Sequence, residues 1–137
     1  TVEMSEKQIV SVYESYGSRK LINNMLRAYI SPSMGEHSID GIFTSSDHLA
    51  MIVQEELEEM GKRVPEDIQI IGYDGLQFLN QGKPIVSSIA QPVHEIAKQA
   101  VKSLTEMIEN GKAEDVTNIP VTFHEGPTTK PLETISE

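Results

Sequence analysis

Two hydrophobic periods alternate along this chain, and that alternation constrains its fold more than any other feature. Short β-branched or aromatic runs are separated by stretches whose apolar residues recur at helical spacing. Ile9, Val10, Val12 and Tyr13 predict a strand that ends near Glu14, broken by Gly17 and Ser18. Leu21, Ile22, Met25, Leu26 and Tyr29 then form one apolar stripe at about 100° per residue, predicting a helix from Ser18 to Ala28. Ser31-Pro32-Ser33-Met34-Gly35 stops it as a loop. Gly41 to Thr44 reads as a buried strand, and Ser45-Ser46-Asp47 supplies N-cap residues for a helix reaching Met60, with Gly61 as its stop. After a turn at Val64-Pro65-Glu66-Asp67, the next strand is Ile68, Ile70, Ile71 and Tyr73, ended by Asp74-Gly75. Val86 to Ala90 is another strand. Pro92 opens the clearest helix at its tolerated first position, and Gly111 closes it. Its residues Val93, Ile96, Ala97, Ala100, Val101, Leu104 and Ile108 share a wedge of roughly 140°. Ile119 to Phe123 reads as a last strand before a polar tail. This order predicts an α/β fold with a mostly parallel sheet flanked by helices.

Composition narrows the function classes. At 137 residues the chain is one domain or a piece of a larger one. Its 38% hydrophobic content suffices for a core. Eleven basic residues against 21 acidic ones give a net charge of −10, which works against direct nucleic-acid binding. No apolar run approaches the roughly 18 residues a membrane span needs, and no charged-then-apolar leader opens the chain. Cysteine is absent, which removes disulfides and thiolate chemistry and is compatible with a cytoplasmic location. The chain opens on Thr1 rather than Met, which raises the expectation of a fragment.

In an open parallel sheet, ligands collect beyond the carboxyl ends of the strands. That rule selects Tyr16, Ser46 with Asp47, Asp74 and Gln91. Asp47 and Asp74 can accept hydrogen bonds from vicinal hydroxyls, and Gln91 offers a donor and an acceptor together. Tyr16 offers an aromatic face to a ring. Plainer roles stand beside these: Asp47 as a helix cap, and Asp74-Gly75 as an ordinary turn.

Enzymatic constellations are missing. There is no H-E-x-x-H, G-x-S-x-G or G-x-x-x-x-G-K-[ST]. His37, His48, His94 and His124 lack metal-ligand spacing and read as surface or capping residues. Consecutive Ser46, Asp47 and His48 do not converge as a triad does. Neither cofactor nor metal is expected, and no catalysis. Glu55, Glu56, Glu58 and Glu59 read as the solvated side of a helix. On that helix Leu49, Val53, Leu57 and Met60 make the inner stripe, while Met51 and Ile52 lie off it, implying cover on a second side. Phe78 and Leu79 could extend the same patch.

Four segments carry a more specific signal. Gly41 to Ala50 (GIFTSSDHLA) resembles the strand-to-helix segment of LacI/GalR-family transcriptional repressors, and Gly61 to Asp74 (GKRVPEDIQIIGYD) resembles that family's G-x-x-V-P-E-D-I-x-I-I-G-Y-D run. Ser87 to Pro92 (SSIAQP) is similar to its T-T-I-x-Q-P, and Thr128-Thr129 to its closing R-x-S/T-T. The matches follow the family's order and spacing.

The resemblance implies the C-terminal part of a two-lobed, periplasmic-binding-protein-like (type 1) effector core, truncated. It divides the chain into a C-terminal lobe at 1–91 that lacks its opening strand and helix, a helix and linker at 92–118 belonging to the N-terminal lobe, and a return strand and tail at 119–137. It implies a small-molecule effector, a sugar or sugar phosphate, held by Tyr16, Ser46, Asp47, Asp74 and Gln91. Met51, Ile52, Phe78 and Leu79 fall on segments that form the family's dimer interface. Operator DNA would be met only through a helix-turn-helix headpiece outside this chain, and the location would be cytoplasmic. Two departures stand out: Ser46 replaces an Asn, and Gly126-Pro127 replace an Arg. A solute-binding protein serving transport is the rival with the same fold. The 93–108 stripe would dock on a lobe outside the chain, so the expectation is that it is hidden by self-association or a domain swap, or else by packing back on its own sheet.

Overall fold

A computed structural model describes residues 18–30, 39–75, 84–114 and 116–131. The strand expected at 9–14, together with Tyr16, Phe78 and Leu79, lies outside the described residues.

The elements are α1 (Arg19–Ile30), β1 (Gly41–Phe43), α2 (Asp47–Glu59), β2 (Gln69–Asp74), β3 (Ser87–Ala90), α3 (Val93–Asn110) and β4 (Thr122–His124). They form a sheet of order β1-β2-β3-β4. Its first three strands are parallel, with Ile42 opposite Ile70 and Gly72 opposite Ser88. β4 runs antiparallel to β3, with Ser88 opposite His124 and Ala90 opposite Thr122. The mostly parallel α/β architecture read from the sequence is present. The last strand starts at Thr122 rather than Ile119. Pro120 has no N–H to give a ladder, which places the strand beyond it.

α2 begins where its capping residues predict. The Ser46 backbone is extended and its hydroxyl accepts from the Leu49 N–H at 3.2 Å. Ala50, Val53 and Leu57 then share one core cluster with Ile68, Ile70 and Val86. Leu57 and Ile70 are fully buried, each burial contributing about 1.5–3 kcal/mol. Ile22, Leu26 and Ile30 of α1, spaced four apart, belong to the same cluster.

The packing of α1 against α2 corrects two sequence expectations. Ile52 was expected on a partner-facing surface but is 8% exposed and sits in the core, so the second apolar side of α2 is covered from within the chain. Met51 is half-buried and packs against the same cluster. Glu56 was expected in solvent, yet it is buried. Its carboxylate accepts from Asn23 Nδ2 at 2.7 Å, and Arg19 bridges to it and to Glu55.

α3 is arranged differently. Pro92 stands at its N-cap, one residue ahead of the expected place, and the Gly111 N–H closes it onto the Met107 carbonyl at 3.0 Å. None of its residues is buried. Val101 is 66% exposed and Ile108 76%, so the wedge does not pack back on the sheet.

The tail is fastened to the middle of the sheet. Thr128 is fully buried, and its hydroxyl donates to the Ile70 carbonyl at 2.7 Å while accepting from the Ser87 N–H at 2.8 Å. Gly126 passes so close to β3 that a Cβ there would lie 2.6 Å from the Val86 carbonyl. Ser87 Oγ bonds both the N–H and the carbonyl of Gly126. The Gly-Pro departure at 126–127 therefore comes with a tail held by backbone and hydroxyl contacts.

Candidate functional site

Beyond the carboxyl ends of β2 and β3 the surface opens into a cavity of ≈ 610 Å³. Asp74, Gln91, His94, Glu95, Thr122 and His124 are among the residues that line it. Two of the residues selected from sequence meet there. Gln91 Nε2 donates to Asp74 Oδ1 at 2.7 Å, and both side chains are partly open to solvent. A half-satisfied carboxylate next to an amide with a free carbonyl oxygen can take a hydroxyl as donor and acceptor at once.

The backbone beneath this pair is unusual. Asp74 has φ 108°, a region that side chains rarely adopt. Gly75 follows with φ 76°, and a Cβ on it would meet the Ala90 Cβ at 2.6 Å. Both the dihedral and the contact require glycine there. The Gly75 N–H donates to Ser88 Oγ at 3.2 Å, which ties the turn to β3.

Ser46 and Asp47 are turned inward, which corrects the expectation that both reach a ligand. Ser46 is 7% exposed, and its hydroxyl serves as the α2 cap. Asp47 is 3% exposed, and its Oδ1 accepts from Ser88 Oγ at 2.5 Å. Its role as the cap itself passes to Ser46, one residue earlier.

His94, read as a surface or capping residue, is exposed, His124 is half-buried, and both line the cavity. His94 arrives on the first turn of α3, and His124 through the antiparallel register that sets it opposite Ser88. That register depends on where β4 starts, so scattered histidines carried no local signal. No group of three or more His, Asp or Glu side chains that could hold a metal occurs among the described residues. No helix of the described residues is long and apolar enough to cross a membrane.

Comparison with known proteins places this geometry. A periplasmic binding protein-like domain matches residues 3–129. The ribose operon repressor of Bacillus subtilis is 41% identical over 85 residues, covering 61% of this chain and 26% of the repressor. The sucrose operon repressor of Pediococcus pentosaceus is 30% identical over 71% of this chain and 30% of its own. The chain thus matches less than a third of the length of these relatives, which are repressors rather than enzymes. Among solved structures, a LacI family transcriptional regulator from Enterococcus faecium with bound ribose superposes with TM-score 0.63 at 28% identity. That match covers 94% of this chain and 46% of the regulator. A LacI family regulator from Arthrobacter sp. FB24 in complex with lactose gives TM-score 0.64 at 25% identity, over 82% of this chain and 41% of that one. The chain belongs to the periplasmic-binding-protein-like domain family, as a C-terminal part of the effector-binding core found in LacI-type regulators.

Proposed function

We propose that this chain supplies one wall of a sugar-effector site, and part of the dimerisation region, in a LacI-type transcriptional repressor. The observation that carries the reading is the Asp74–Gln91 pair, hydrogen-bonded at the rim of a cavity beyond the strand ends. Asp74 would accept from sugar hydroxyls, and Gln91 would both give and accept. The likeness to a ribose-bound regulator over nearly the whole chain supports a small polyhydroxylated ligand. Relatives that are operon repressors favour regulation over transport.

Effector binding would act by population shift, because it changes the balance of two lobe arrangements only through its differential affinity for them. The boundary near Gln91 would separate the lobe built on the sheet from the segment at 92–118. Operator contact belongs to a basic headpiece of the whole repressor, since a surface of net charge −10 is poorly suited to phosphates. A homodimer using the segment of Phe78 and Leu79 completes the reading. The effector arm is tested by titrating D-ribose and sucrose into the full-length protein by calorimetry. One sugar should bind, and Asp74→Ala should weaken it on the order of tenfold or more, the scale of a lost hydrogen bond to a charged group. Wild-type affinity in Asp74→Ala would remove Asp74 from the site.

A further inference from the structure

Asp47 and Ser88 do not line the cavity, yet they are joined to it by two hydrogen bonds, the Asp74–Gly75 peptide and a third hydrogen bond. The run starts at the first residue of α2, where the buried Asp47 Oδ1 accepts the Ser88 hydroxyl proton at 2.5 Å. With its proton committed to Asp47, the same oxygen presents a lone pair to the Gly75 N–H at 3.2 Å. That bond holds the peptide between Asp74 and Gly75, among the described residues the one peptide whose two residues both have positive φ. From Asp74 the run continues through its carboxylate to Gln91 Nε2. Three elements are thereby linked: the start of α2, the interior of β3 and the end of β2.

We propose that Asp47 and Ser88 are positioning residues for Asp74, fixing the orientation in which its carboxylate faces the cavity. A residue at φ 108° relaxes toward negative φ unless its surroundings hold it. Here the carbonyl of the Asp74–Gly75 peptide accepts from the Gln91 backbone N–H at 3.4 Å, its N–H is held by the Ser88 hydroxyl, and Asp47 determines which way that hydroxyl points. Without Asp47 the Ser88 proton is free to turn, and its lone pair need no longer face Gly75. Glycine at position 72 is part of the device. A Cβ there would stand 2.4 Å from Asp47 Oδ1, so only glycine lets the carboxylate reach Ser88 across β2. The functional sense of this positioning rests on the reading of Asp74 as an effector contact; the positioning itself does not.

Amide exchange and side-chain resonances in the isotopically labelled 137-residue chain test it directly. Ser88→Ala should speed exchange at the Gly75 amide by about tenfold, the scale of one lost buried bond. It should also shift the Gln91 side-chain amide pair, while exchange at Val53 and Ile70 stays as in the wild type. Asp47→Ala should reproduce both changes, providing a second route if Ser88→Ala fails to fold. Asp47→Asn keeps Oδ1 as an acceptor and should restore both signals, a rescue that general loosening of the fold would not give. Unchanged Gln91 resonances in the disruptive variants, or Asp47→Asn behaving as Asp47→Ala, overturns the proposal. Binding of D-ribose to the full-length protein separates this from the effector reading. Ser88→Ala should weaken binding in the wild-type background and have no further effect in Asp74→Ala, whereas additive losses would mean that Ser88 acts by another route. If Asp74→Ala itself leaves D-ribose affinity unchanged, the effector reading fails and the resonances alone decide the positioning.

Discussion

Gly72 lies directly beneath Asp47: a Cβ on the glycine would approach the Asp47 Cα to 3.1 Å as well as its carboxylate to 2.4 Å. Side chain and helix backbone both stand in the way, so rotating Asp47 alone does not make room. Gly72→Ala is therefore expected to push the first turn of α2 off β2 and destabilise the chain by about 1–3 kcal/mol, as overpacking does. Urea denaturation checks this. A midpoint equal to that of the wild type would mean that α2 accommodates the methyl without strain.

Thr128 is expected to be the most sensitive residue of the tail. Thr128→Val keeps its shape but removes the hydroxyl that receives the Ser87 N–H and donates to the Ile70 carbonyl. A buried N–H left without its acceptor costs about 1–3 kcal/mol. Thr128→Ser, which keeps both bonds, should recover most of that loss in the same denaturation series.

How much of this was legible in the sequence varies by residue. Ser46 and Gly61 announced the ends of α2, and Ile68 to Tyr73 announced β2, because capping and β-branched runs are local signals. Ile52 and Glu56 were misplaced for a tertiary reason. Position on the helix wheel cannot tell that α1 lies across α2 and brings Asn23 to the Glu56 carboxylate. The Asp74–Gln91 meeting was legible from the rule about strand ends, since both residues terminate neighbouring parallel strands. The inward turn of Asp47 was not, because it depends on Ser88, 41 residues away.

The Arg63–Asp67 pair has a pH signature. Hydrogen bonds from the Arg63 side chain and then its backbone N–H hold the Asp67 carboxyl at about 2, below its ordinary 3.8. A depressed carboxyl favours the folded state above its ordinary value and loses that contribution as pH falls toward 2. A carboxyl-carbon NMR titration of Asp67 should show the low midpoint, and Arg63→Ala should move it up toward 3.8. An identical midpoint in that variant would assign the shift elsewhere.

The exposed wedge of α3 predicts self-association of the chain in isolation, with a second copy covering what water otherwise meets. Each exposed Val, Ile or Leu forfeits about 1.5–3 kcal/mol of burial. Sedimentation velocity should show oligomers that grow with concentration. Replacing Val101 and Leu104, 66% and 59% exposed, by Glu should leave a monomer whose folding stability changes by no more than about 0.5 kcal/mol per site. A wild-type chain that stays monomeric at high concentration would contradict this.

The two strands at the edge of the candidate site constrain any motion there. β3 leads out of the sheet toward α3 and β4 leads back, with Ser88 opposite His124, Ile89 opposite Phe123 and Ala90 opposite Thr122. Just past β4, Gly126 and Thr128 bolt the returning strand to Ser87 and Ile70. Outgoing and incoming chains therefore behave as one ribbon, clamped at its base. Such a ribbon can flex and twist about its free end, but sliding one strand along the other would break every rung between them. Whatever is carried beyond Gln91 can swing over the cavity like a door on a strap hinge, and it cannot travel like a drawer.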